Sequence, residues 1–192
     1  MAKAVPNREK GRKTFRPLRE KVATEAVTEV QYKRFMTALK NIDQGAWLIA
    51  YLLLHGCKRR NEVLSLVTGQ INWQTRQIHF KQSKAELEKM VTITYPESVM
   101  AELQEFLGER TGKVFAGYHE MKLHRRFKEA SKRSGVYVTR HMLRATSITV
   151  MAQKGYSTDA IIKLSGHASR QMVSRYDKTE QADNISKELR FL

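Results

Sequence analysis

The sequence predicts an α+β fold, mostly helical, with a small three-stranded antiparallel sheet near its middle. Three observations carry this. Apolar residues recur at helical spacing before residue 67 and again after Pro96. Between these regions, from Ile71, the period changes to two, and INW, QIHF and VTITY read as three short strands. The chain has 192 residues, 41% of them apolar, which is enough for one domain with a full core.

The elements follow in order. Thr28 is placed to cap a helix over VQYKRFMTALK, with Val30, Phe35, Met36 and Leu39 turned inward. A buried helix is expected over 44–55, ending near Gly56, and a short third helix over NEVLSL. The strands are joined by TR and by the longer SKAELEKM, and Pro96 closes the sheet. ESVMAELQEFLG is helical and Gly108 ends it. Further helices are expected over 119–132, 140–153, 158–164 and 170–176, and QADNISKELRFL is a last amphipathic piece.

Charge narrows the partner. Lysine and arginine number 35 against 19 acidic residues, a formal charge of +16. Such an excess attracts polyanions over long range, nucleic acid before an anionic membrane surface. An architectural or ribosomal protein shares this charge, so charge alone names no activity. The longest apolar run, Ala46 to Leu54, has nine residues and is too short to span a bilayer. No signal peptide is visible, and Cys57 is the single cysteine. A lone cysteine forms no internal disulfide and no cysteine-based zinc cluster. The expected setting is cytoplasmic.

The chemistry gathers in HMLRATSITVMAQKGYSTDAIIKLSGHASRQMVSRY, residues 141–176. His141 and Arg144 are three apart and share a helical face, opposite Leu143 and Ile148. Arginine offers a planar, permanently charged fork of donors suited to a phosphate. His167 follows SG at a turn, and Tyr176 stands nine residues beyond it. A tyrosine hydroxyl is a poor nucleophile at its free pKa near ~10, but cations around a phosphodiester make its attack feasible. Singly, each group fits a packing or surface role; the ordered set is what points to chemistry.

HMLR, then LSGH, then a tyrosine nine residues on, resembles the tyrosine recombinase (phage integrase) family. That family also carries a Gly-x-Arg-x-x-Glu box after a hydrophobic helix, and GCKRRNEVLSL stands at that place. Arg59 and Glu62 match the arginine and glutamate of the box, and Val63, Leu64 and Leu66 match its buried side. The family's lysine lies on the hairpin between strands two and three. Counting back from VTI puts it at Lys84, with Lys81 as the second choice. The chain departs from the pattern at Cys57, where a glycine is usual, at Ser165, where a leucine is usual, and at Ala145, where a histidine is common.

The resemblance implies a tyrosine recombinase catalytic-domain-like fold and a site-specific recombinase. Its expected catalytic set is Arg59, Lys84, His141, Arg144, His167 and Tyr176. Tyr176 would attack the scissile phosphate, form a 3′-phosphotyrosyl link and release a 5′-hydroxyl. A second 5′-hydroxyl would then rejoin the DNA. Arg59 and Arg144 would clamp the non-bridging oxygens, and Lys84 would protonate the leaving oxygen. His141 and His167 would bind the phosphate or relay the tyrosine's proton. Glu62 would orient an arginine or histidine. No cofactor and no metal are expected. The expected partners are double-stranded DNA and further copies of the chain, a tetramer on paired sites, with no membrane. Integration, excision, inversion and resolution all remain open. So do type IB topoisomerase-like relaxation and a non-catalytic DNA-binding role.

The expected organisation is a basic arm over 1–26, a catalytic domain over 27–178 and a tail over 179–192. Residues 1–21 hold eight lysines and arginines against two glutamates, which fits either a solvated tail or a DNA-touching arm. The family usually has an N-terminal helical domain. The chain is therefore either a short recombinase or a catalytic domain cut from a longer one. Ile185, Leu189, Phe191 and Leu192 fit packing on a neighbouring subunit or on the same domain.

Overall fold

A computed structural model describes residues 26–82, 89–166 and 170–174. The basic arm, the hairpin with Lys84, and the residues His167 and Tyr176 with the tail lie outside the described residues, apart from Ala26 of the arm.

Helix α1 is Glu29–Lys40 and α2 is Gln44–His55. Thr28 and Gln31 close a reciprocal capping box at the start of α1, with bonds of 3.3 and 3.0 Å. Asp43 caps α2 by accepting from the Ala46 N–H at 2.9 Å. The near-continuous apolar run makes α2 the central helix, with Leu48, Ile49, Ala50 and Leu52 fully buried. Phe35, Met36 and Leu39 of α1 are buried as expected, and Phe35 meets Phe127 at a ring distance of 5.3 Å.

Val30 is a correction, because it is 68% exposed. It stands nine residues before Leu39, about two and a half turns, and so falls on the opposite side of the helix. Val27, just before the cap, is buried in its place, and its N–H donates to Thr146 Oγ1 at 2.8 Å.

Helix α3 is Arg60–Leu64, and a 3₁₀ turn at Thr68–Gln70 leads into the sheet. Strands β1 (Ile71–Asn72), β2 (Gln77–Gln82) and β3 (Lys89–Thr94) form an antiparallel sheet in the order β1-β2-β3. Ile78 pairs with Ile93 and Phe80 with Val91, which puts Ile78, Phe80 and Ile93 on the core face. Trp73 falls in the turn after β1 rather than in the strand, while β2 and β3 run further toward their hairpin than QIHF and VTITY indicate.

The remaining helices are α4 (Glu97–Leu107), α5 (Glu120–Ser134), α6 (Arg140–Gln153), α7 (Thr158–Ser165) and α8 (Arg170–Ser174). Most of the core surrounds α2. A second, smaller apolar cluster joins Cys57, Ile148, Ile161 and Val173. It draws α6, α7 and α8 onto the turn after α2. Among the described residues, no helix is long and apolar enough to cross a membrane.

Candidate active site

The site begins where α2 ends. Gly56 closes the helix, and Cys57 takes a φ of +50°, the left-handed region that L-residues rarely adopt. This is the position where the resemblance puts a glycine. The Cys57 side chain is buried, and burial pushes its thiol up to about 11. The turn sends Lys58 and Arg59 toward α7.

Arg59 precedes α3 in extended conformation, and Glu62 in the first turn reaches back to it. One carboxylate oxygen accepts from the Arg59 backbone N–H at 2.9 Å, and the other from Nη1 at 3.1 Å. Glu62 is 2% exposed. A buried carboxylate needs both charge balance and hydrogen bonds, and Arg59 supplies them.

Helix α6 starts at Thr139, whose hydroxyl accepts from the Met142 N–H at 3.2 Å. Arg144, in its second turn, is buried. Its fork spans two strands of chain: Nη1 donates to the Cys57 carbonyl at 2.7 Å and Nη2 to the Ser165 carbonyl at 2.5 Å. Arg59 Nη2 donates to the next carbonyl, Gly166, at 2.6 Å. Lys58 Nζ donates to the preceding one, Leu164, at 2.9 Å.

Three cations thus hold three successive carbonyls at the end of α7. These oxygens belong to the last turn and cap, where the helix leaves acceptors open and carries partial negative charge. Gly166 ends the helix at φ +67°. A Cβ at Gly166 would lie 2.7 Å from Gln82 Nε2, so the end of β2 is seated directly on this turn. Lys84 follows Gln82 by two residues, and His167 follows Gly166 at once.

His141 lies nearer solvent than Arg144 on the same helix. Partial burial lowers its pKa below the usual histidine value, and the charges of Arg140, Arg60 and Arg144 lower it further, against Glu120. Arg60 forms an ion pair with Glu120, which also takes Arg140 Nη2 at 3.2 Å. The Arg60 side chain is therefore committed to α5 while its neighbour Arg59 serves the α7 turn. Lys58, Arg59, Arg60, Arg140 and Arg144 outnumber the two carboxylates among them, and the excess suits an anion.

Of the six expected catalytic residues, the structure brings Arg59 and Arg144 together on the α7 turn and puts His141 one turn before Arg144. Lys84, His167 and Tyr176 lie outside the described residues. Lys81, the second choice for the hairpin lysine, is on the exposed side of β2, paired with Met90. Lys58 and Gln82 were not singled out by the sequence. In the run KRR nothing distinguishes the buried Lys58 from the half-buried Arg59 and Arg60, and a glutamine at a strand end carries no signal. Among the described residues, no group of three or more His, Cys, Asp or Glu side chains is gathered to hold a metal ion.

The phage integrase family model matches residues 25–182. The virulence plasmid integrase pGP8-D of Chlamydia trachomatis is 38% identical over 199 residues, covering 98% of this chain and 60% of the relative. The chain thus spans about 60% of the length of that curated relative. Among solved structures, the site-specific recombinase XerH bound to its difH substrate superposes with a TM-score of 0.70 at 16% identity, over 85% of this chain and 54% of that one. The catalytic domain of bacteriophage HP1 integrase superposes with a TM-score of 0.65 at 17% identity, over 86% of this chain and 95% of that one. The helical scaffold with its small antiparallel sheet is thus the fold of recombinase catalytic domains, and the chain belongs to the phage integrase family.

Proposed function

We propose that this chain is the catalytic part of a site-specific DNA recombinase that breaks and rejoins strands through a 3′-phosphotyrosyl intermediate. The observation that carries this is the meeting of Arg59 and Arg144. They come from opposite sides of the sheet in sequence, yet they bind adjacent carbonyls, Gly166 and Ser165. A scissile phosphate beside that turn would find two guanidinium groups where charge grows in the transition state.

In this reading Tyr176 is the nucleophile and Lys84 the acid for the 5′-hydroxyl. His141 and His167 bind the phosphate or carry the tyrosine's proton. Each cleaved phosphodiester is conserved in the protein–DNA link, so rejoining needs no ATP. The partners are double-stranded DNA and further copies of the chain, four on two paired sites. Residues 27–178 form the catalytic domain. The arm over 1–26 follows the DNA backbone, and the tail over 179–192 reaches a neighbouring subunit. Acting on DNA, the protein would work in the cytoplasm, at the nucleoid or in a phage's host.

The test uses a binding site selected by the protein from a random-sequence DNA pool and rebuilt as a nicked duplex. The parent chain should trap a covalent adduct that survives detergent. Tyr176→Phe should bind the duplex as the parent does and form no adduct. An adduct with Tyr176→Phe would defeat this assignment of the nucleophile.

A further inference from the structure

Lys58 is a buried cation that the proposed chemistry does not use. It is 1% exposed, and its ammonium lies 5.6 Å from the centre of the Phe80 ring. Its hydrogen bond goes to a neutral group, the Leu164 carbonyl. The titratable groups that face it are Glu62, Arg59, Arg144 and the Cys57 thiol, which burial keeps neutral. With the thiol neutral, the Glu62 carboxylate is the negative charge that opposes it, and both Glu62 oxygens already serve Arg59.

Burying an ammonium costs several kcal/mol unless it is well paired. Burial accordingly lowers the Lys58 pKa to about 8. For packing alone a methionine fits as well, because its unbranched apolar chain suits the wall formed by Phe80. What methionine cannot do is hold an oxygen. The held oxygen is Leu164 O, three residues before His167, next to the carbonyls gripped by Arg144 and Arg59.

We infer that Lys58 is a positioning residue for strand cleavage: by fastening the Leu164 carbonyl it fixes the direction in which the chain leaves α7 toward His167. This rests on the recombinase reading above. In the recombinase reading Arg59 and Arg144 serve a phosphate as well as the turn. Lys58 is enclosed and serves the turn alone, so its hold on the Leu164 carbonyl does not compete with a bound phosphate.

The experiment compares Lys58→Met, Lys58→Arg and Tyr176→Phe with the parent in the full chain, on the selected nicked duplex. Three quantities are read: thermal midpoint, DNA affinity and single-turnover adduct formation. Lys58→Met should melt at or above the parent temperature and bind DNA within about threefold. It should form adduct at least ~10-fold more slowly. Lys58→Arg keeps a donor and should recover part of that loss. A parental rate in Lys58→Met overturns the inference while leaving the recombinase reading intact. A lower melting point or loss of folding in Lys58→Met makes Lys58 a structural group and also overturns it. If Tyr176→Phe still forms adduct, the recombinase reading fails and the inference falls with it.

Discussion

Arg59 donates to the Gly166 carbonyl at 2.6 Å across 107 positions of sequence. Both ends of this bond depend on an unusual backbone: Cys57, two residues before Arg59, is at φ +50°, and Gly166 is at φ +67°. The first turn aims the guanidinium and the second presents the oxygen. The site is therefore set by two tight turns as much as by its charged side chains.

Gly166→Ala tests the second turn. An alanine there adds strain of about 1 kcal/mol from the left-handed backbone. It also puts a Cβ 2.7 Å from Gln82 Nε2. The expected outcome is a clear loss of stability in urea unfolding and slower adduct formation. Gln82→Ala in the same chain removes the clash but not the strain. Gly166→Ala should therefore cost at least ~0.5 kcal/mol less in the Gln82→Ala background. Strictly additive effects would mean that the two side chains do not meet.

Glu62 separates orientation from bulk charge. Its carboxylate is fully buried and its two oxygens hold Arg59 at the backbone and the side chain. Removing one partner of a buried pair leaves the other uncompensated, so Glu62→Ala should lose ~3 kcal/mol of stability. Glu62→Gln keeps one acceptor and should lose less than half as much. Both should slow adduct formation, because Arg59 loses a fixed direction. Denaturant midpoints and single-turnover rates measure the two effects. Equal stability losses in the two variants would show that the retained acceptor contributes nothing.

Much of this was legible in the sequence, and the gaps have physical causes. The helix boundaries are legible at Gly108 and Pro96 through their backbone chemistry and at Thr28 through its capping hydroxyl. Arg144 stands out through its spacing from His141, whereas Arg59 and Glu62 are picked out only by the family resemblance of GCKRRNE. Val30 departs from the expectation because its spacing from Leu39, about two and a half turns, turns it away from the core, and Val27 before the cap fills that place. Lys58 was missed because burial of a charged residue is decided by the tertiary contacts of Phe80 and Leu164, not by its neighbours in sequence. The same holds for Gln82, which matters only because Gly166 leaves room for it.

His141 gives a pH prediction with a definite sign. Its folded pKa is lowered, by burial first and then by Arg140, Arg60 and Arg144. As pH falls below about 6.5, the unfolded chain takes up a proton that the folded one resists. Folding should thus lose stability across the window from about 6.5 down to the folded pKa, and this loss should vanish above it. Proton NMR titration of the imidazole, assigned with His141→Gln, reads the value directly. Arg140→Gln should move it upward, and Glu120→Gln should move it further down. A His141 that titrates at or above 6.5 would contradict the described environment.

The two arginines separate chemistry from binding. Arg144 spans the Cys57 and Ser165 carbonyls with two nitrogens of one plane, and Arg59 spans Glu62 and Gly166 in the same way. Lysine offers one point of charge and cannot bridge two acceptors held in fixed directions. Net charge is unchanged by the exchange, so long-range attraction to DNA should persist. Arg59→Lys and Arg144→Lys should each bind the selected duplex within about threefold of the parent. Each should form adduct roughly a hundredfold more slowly, about 2.7 kcal/mol of transition-state stabilisation. Arg60→Lys is the control. Its partner Glu120 is 56% exposed, and a solvent-facing ion pair of this kind contributes about 1 kcal/mol at most. Its rate should stay near that of the parent. A crippled Arg60→Lys beside a fast Arg59→Lys would shift the arginine of the box by one position, and three parental rates would remove the guanidinium clamp from the mechanism.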